Sequence, residues 1–170
     1  MKSCRIERTR IERTVKYFEG AERTSIEDTT LKILEAFLKS GLQARSSTFA
    51  PWGGVEVKIY DLLADKALDA HSKRPVVFLF LEEHERGPFS KGERVGNTHF
   101  LTFTADCITN DTNLKAERLL REAVQAIVED GKKQLRLLGL FQAAPTPSSP
   151  ESQRNRVNPI AITATAFSLK

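Results

Sequence analysis

Apolar residues recur along the chain with two periods, and each change of period marks an element. From Ser25 the spacing is helical. Ser25 and Asp28 resemble a capping box, and Ile26, Leu31, Ile33, Leu34, Phe37 and Leu38 form a broad apolar stripe that stops before Gly41. Residues 43–54, with Ser46, Ser47, Pro51, Trp52, Gly53 and Gly54, are rich in breakers and predict a loop. Val55, Val57 and Ile59 then alternate with Glu56 and Lys58 as in a half-buried strand, and Asp61 to Ala70 predicts a short helix. Pro75 leads the most apolar run, Val76 to Leu81, whose β-branched and aromatic content predicts a central strand. Alternation resumes from Phe100 to Ile108, with Leu101, Phe103, Ala105 and Cys107 on one face and Thr102, Thr104 and Asp106 on the other. Between these runs lie charges with Gly87, Pro88, Gly92, Gly96 and Asn97, so the pair predicts a hairpin with a long structureless tip. Asn110 or Asp111 caps a second main helix, in which Ala116, Leu119, Leu120, Ala123, Val124, Ile127 and Val128 repeat at three and four until Gly131, with Glu117 and Arg121 as an exposed pair. Leu135 to Leu138 fits a short strand or a helical remnant. Pro145, Pro147, Ser148, Ser149 and Pro150 predict irregular chain, and Val157 to Leu169 a closing strand that Pro159 suits at its start.

This order predicts an α+β domain over residues 25–170: one mainly antiparallel sheet with a long hairpin, packed on one face by two main helices. Residues 1–24 read as a charged N-terminal extension. It contains a duplicated pentapeptide, Arg5-Ile6-Glu7-Arg8-Thr9 and Arg10-Ile11-Glu12-Arg13-Thr14, too short and too few for a stacked repeat fold. Ile11, Val15 and Phe18 at helical spacing offer a weak anchor on the body, but a solvated extension is the plainer reading.

Composition changes this picture in one respect. The chain of 170 residues carries 26 Lys+Arg against 22 Asp+Glu, and the resulting +4 invites a nucleic-acid reading. Residues 1–24 hold seven basic and four acidic side chains, so +3 of that excess lies in the extension and the body is nearly neutral. Cys4 and Cys107 are far apart in sequence, and His71, His84 and His99 share no metal-ligand spacing. Reduced thiols and no structural metal are therefore expected. The longest apolar run is far short of the ~20 residues that cross a bilayer, and the N-terminus lacks a signal-peptide core, so a soluble protein made inside a cell is expected.

The candidate chemistry is sparse. No phosphate-binding glycine loop, nucleophile elbow, zinc-protease helix or dinucleotide fingerprint is present, so no catalytic residue, metal ligand or cofactor site is assigned. Glu82-Glu83-His84-Glu85 reads as a solvated strand end, with Glu83 and Glu85 on one face and Glu82 and His84 on the other. His99 is expected to make a structural contact across the hairpin near Glu82 or Glu83. Cys107 is expected to be an inward, inert thiol, and Phe49 and Trp52 a plug beneath a loop rather than a binding edge.

The sheet's second face is more informative. If Val77, Leu79, Leu81, Leu101 and Phe103 meet the helices, Val76, Phe78, Phe80 and Phe100 point the other way, where a one-layer sheet of a monomer is polar. Either further chain covers that face or it is buried against another subunit, since large exposed apolar patches mark association surfaces. Arg86, Phe89, Lys91 and Arg94 lie on the expected mobile arm of residues 85–96, and loops of that length are usually functional or disordered.

In layout, residues 26–170 resemble the tail terminator, or tail-completion, proteins of long-tailed bacteriophages. The likeness is carried by the opening helix, the Pro-led strand Arg74-Pro75-Val76-Val77-Phe78-Leu79-Phe80-Leu81 and the long-tipped hairpin. The return strand His99-Phe100-Leu101-Thr102-Phe103-Thr104-Ala105, the helix around Ala116-Glu117-Arg118-Leu119-Leu120 and the ending Asn158-Pro159-Ile160-Ala161-Ile162-Thr163-Ala164-Thr165-Ala166-Phe167 complete it. The resemblance implies a non-enzymatic protein forming a hexameric ring at the head-proximal end of the tail, where it stops tail tube polymerisation and provides the head-docking surface. Its implied partners are further copies of itself, the tail tube protein and a head-tail connector or neck protein, with genome DNA passing through without specific binding, no cofactor and no membrane. The implied location is the virion tail, after synthesis in the host cytoplasm. On this reading Phe78, Phe80 and Phe100 lie in or near the subunit packing, and Arg86, Phe89, Lys91 and Arg94 reach the tube or an adjacent subunit. Two alternatives remain open: another phage neck or tail tube protein, and a small nucleic-acid-binding module using the Arg-rich arm. The interleaved Glu7, Glu12, Glu19 and Glu22 count against the latter.

Overall fold

A computed structural model describes residues 18–19, 23–59, 75–91, 94–108, 114–147 and 159–169. The pentapeptide repeat, the expected helix over 61–70 and the cap at Asn110 or Asp111 lie outside the described residues. Helix α1 (Arg23–Gln43) carries the expected stripe, with Ile26, Leu34, Leu38 and Leu42 buried and Leu31, Ile33 and Phe37 flanking them. Thr30 is also buried in this helix, and its hydroxyl donates to the carbonyl of Ile26 at 2.7 Å, which satisfies it.

The helix runs past Gly41 instead of ending there. A Cβ on Gly41 would stand 2.6 Å from Cγ2 of Ile127, so this glycine gives room for α1 to cross α3 (Leu114–Asp130). Residues 43–54 are likewise more ordered than a loop: α2 (Ser46–Phe49) and a 3-10 turn (Ala50–Trp52) fold back on the body. Phe49 is buried and Trp52 packs against the core, with ring centroids 6.4 Å apart, so the pair forms the expected plug.

The chain forms the predicted α+β architecture, a mixed and mostly antiparallel sheet built around a long hairpin. The strands are β1 (Phe18–Glu19), β2 (Glu56–Ile59), β3 (Val76–Lys91), β4 (Arg94–Ile108), β5 (Phe141–Pro147) and β6 (Pro159–Leu169). Their order is β1-β6-β4-β3-β2, and β5 and β1 share the β6 edge opposite β4. Antiparallel pairs join β3 to β4, β4 to β6 and β5 to β6, whereas β2 lies parallel to β3 and β1 parallel to β6. Helices α1 and α3 cover one face, built from Val77, Leu79, Leu101, Phe103, Ala105, Cys107, Ile160, Ile162, Ala164 and Ala166. Phe18, in the segment read as an extension, is buried in this same core.

Three expectations are corrected. The charged stretch 85–96 is not a structureless arm, because β3 and β4 stay in register from Glu83↔Thr102 to Lys91↔Arg94. Backbone ladders do not require apolar side chains, and Pro88 is tolerated because β2 flanks β3 only from Val76 to Leu79. β6 supports β4 as far as Gly96, so only the pairs Ser90↔Val95 and Lys91↔Arg94 extend beyond it. The Pro-rich stretch after Leu140 is strand β5. Prolines two residues apart direct their missing N–H groups to the same edge, so Pro145 and Pro147 leave the alternate residues free to bond β6. Glu117 is 5% exposed rather than solvated, while Leu135 belongs to the short helix α4 (Lys132–Leu137).

Candidate functional site

The face of the sheet opposite α1 and α3 carries the residues read as an interface. Phe78 and Phe80 of β3 are half-buried, and Phe100 of β4 is 52% exposed. They do not form one continuous patch. Between Phe80, opposite Thr104, and Phe100, opposite Glu85, comes the pair Glu83↔Thr102, and Thr104 donates to the Glu82 carboxylate at 2.5 Å. The face is therefore more polar in that direction than simple alternation predicts.

Phe100 instead continues across the sheet. Its neighbour on β6 is Thr165, Thr165 pairs with Phe141 of β5, and Phe141 meets Phe167 edge-on at 5.2 Å between centroids. Arg136 of α4 lies 5.8 Å over the Phe141 ring. Thr98, Thr102, Thr163 and Thr165 share this face by register. The result is an aromatic and threonine surface across three strands. Phe167 was legible from the alternation of β6; Phe141 was not, because its segment read as irregular.

Of the expected arm residues, Arg86 is exposed and opposite His99, Phe89 is opposite Gly96, and Lys91 pairs with Arg94 at the hairpin end. The register brings Lys91 and Arg94 together and leaves them remote from Phe78 and Phe80.

A second constellation lies under the helices. The strand β3 has an extra residue at Glu82, where the register shifts between Leu81 and Glu83. The shift turns His84 inward, opposite Leu101, and separates it from the exposed Glu82, Glu83 and Glu85. The expected solvated strand end thus holds for the three carboxylates and fails for the histidine, whose side chain is 1% exposed. His84 Nδ1 lies 2.8 Å from Glu27 Oε1 of α1, His84 Nε2 is 2.8 Å from His99 Nδ1, and His99 Nε2 is 2.7 Å from Ser168 Oγ. His99 does make a cross-hairpin contact, with His84 as its partner. Burial first, then the charges of His84 and Arg86, push His99 down to about 4.

The relay has the order of a nucleophile with a base and an orienting acid, but Ser168 and His99 are both fully buried, so no substrate atom reaches the hydroxyl in this conformation. Cys107 is equally enclosed, and burial together with Asp106 and Glu117 pushes its thiol up to about 12. Among the described residues no group of three or more His, Cys, Asp or Glu is placed to hold a metal ion, and no helix is long and apolar enough to cross a membrane.

Compared with known proteins, the chain matches no family model and no curated protein.

Proposed function

We propose that this protein is a structural subunit of a long phage tail. In this role it assembles head to tail into a ring at the head-proximal end, stops growth of the tail tube and offers the surface on which the head docks. The observation that carries the reading is the exposed Phe100 at the centre of the aromatic and threonine face, on the side of the sheet opposite α1 and α3. Flat β-surfaces of aromatic and β-branched residues bury well against another protein, and a heterologous contact of this kind closes into a ring when its rotation permits. The long hairpin supports the same reading, since it carries Lys91 and Arg94 beyond the end of β6, within reach of a neighbour.

The test is the mass of the purified chain, alone and with its tube protein, followed by electron microscopy of the mixture. Rings and tubes of limited length are expected for the natural chain, and Phe100→Glu is expected to give monomers with an unchanged circular dichroism spectrum. A strictly monomeric natural chain that leaves tube growth unaltered overturns the proposal.

A further inference from the structure

The relay Glu27–His84–His99–Ser168 joins four elements, α1, β3, β4 and β6, by three short hydrogen bonds. Each link holds one proton. With Glu27 as carboxylate, the first is the Nδ1–H of His84. Two neutral imidazoles then leave a single arrangement, in which Nδ1–H of His99 donates to Nε2 of His84 and the Ser168 hydroxyl donates to Nε2 of His99. One added proton is accommodated without losing a bond. The middle link reverses, Nε2–H of His84 donates to Nδ1 of His99, Nε2–H of His99 donates to Ser168, and the charge sits on His84 beside the carboxylate. A second added proton places N–H groups on both sides of a 2.8 Å gap, and that link cannot survive.

β1 is two residues long, and its partners are Ser168 and Leu169, with Phe18 directly beside Ser168. Its ladder therefore rests on the end of β6, which the β4 ladder at Asn97 and Gly96 holds by its backbone and the relay by its side chains. We propose that the relay is an acid-operated clamp on the N-terminal segment, holding β1 to β6 while it carries at most one added proton and releasing β1 when the second arrives.

Glu27 from α1 and Arg86 from β3 are charged groups that face the relay, and β4 and β6 contribute His99 and Ser168 themselves. Arg86 opposes a second positive charge, as does burial, and both hold His99 neutral until the solution is strongly acidic. Release by this route frees Phe18 and Glu19 and bares the β6 edge at Ser168 and Leu169.

Hydrogen exchange read by mass spectrometry on the full chain tests this, with exchange at the histidine C2 positions reporting ring protonation and amide exchange reporting β1. The expected result is uptake of ring protons by the relay in two steps, with protection around Phe18 and Glu19 lost together with the second step while α3 stays protected. Loss of β1 protection with the first proton, or only at the pH where α3 also opens, overturns the clamp. His99→Phe keeps a ring and abolishes two links, so β1 protection should fall at least tenfold at pH 8 and lose its pH dependence. Ser168→Ala, a smaller change that removes the last link alone, should do the same. Natural, pH-dependent protection of β1 in either folded variant overturns the clamp.

Discussion

A methyl group placed on Gly96 would stand 1.9 Å from the carbonyl oxygen of Ser168, closer than any real contact. Gly96 is the first residue of β4 to pair with β6, opposite Leu169, so a side chain there pushes the two strands apart where the relay ends. Gly96→Ala is therefore expected to cost roughly 3 kcal/mol, read as a lowered denaturation midpoint at unchanged slope. The buried groups set the response to pH. His99 has its folded-state value lowered from 6.5 to about 4, so between those values the unfolded chain binds the proton that the native chain refuses. Stability thus rises with pH through this window and is lost on acidification, and a melting temperature that stays flat from pH 7 to pH 4 would contradict the burial of His99. Cys107 is tested by thiol chemistry. In a Cys4→Ser chain its thiol should be inert to alkylation at pH 8 until denaturant is added, because both access and the thiolate are missing.

At the scale of elements, what was legible was whatever repeats. The stripes of α1 and α3, the run Val76 to Leu81 and the alternation of β4 and β6 each bury the residues that the period selects. Leu34→Ala and Leu38→Ala, in the α1 stripe, are accordingly expected to cost about 2–5 kcal/mol each in chemical unfolding, whereas the exposed Lys39→Ala on the same helix should cost well under 1 kcal/mol. What was not legible depends on neighbours in space. Gly41 looked like a helix end, and only the crossing with Ile127 explains it as a packing residue. Pro145 and Pro147 looked like breakers, although an edge strand accepts proline wherever the N–H would face away from its partner. The single extra residue at Glu82 is the most consequential case. Alternation counted through it places His84 with Glu82, while the bulge sends His84 under α1 to Glu27, so the relay could not be assembled by counting. Ser168 and Glu27, 57 or more positions from the histidines they meet, carried no local signal at all.

At the scale of the molecule, the distribution of charge separates the two partner classes. Residues 1–17 hold six basic and two acidic side chains, which accounts for the whole +4, so residues 18–170 are balanced. A balanced body releases few counterions from a duplex, and any DNA affinity must then come from the N-terminal segment with its interleaved glutamates. Six basic residues acting together would still give a steep dependence on salt, with a slope of up to about −5 in log K against log salt, whereas cancellation by Glu7 and Glu12 flattens it. A ring that passes a genome without retaining it needs the flat case. In a salt titration of duplex binding, the full natural chain is expected to bind more weakly than about 10 µM near physiological salt, a value within the ordinary non-specific range. A full chain carrying Arg5→Gln, Arg8→Gln, Arg10→Gln and Arg13→Gln should differ from it by less than threefold. Tight binding with a steep slope that these four substitutions abolish would instead make the N-terminal segment a nucleic-acid arm, and the ring proposal would have to give way to the binding-module reading.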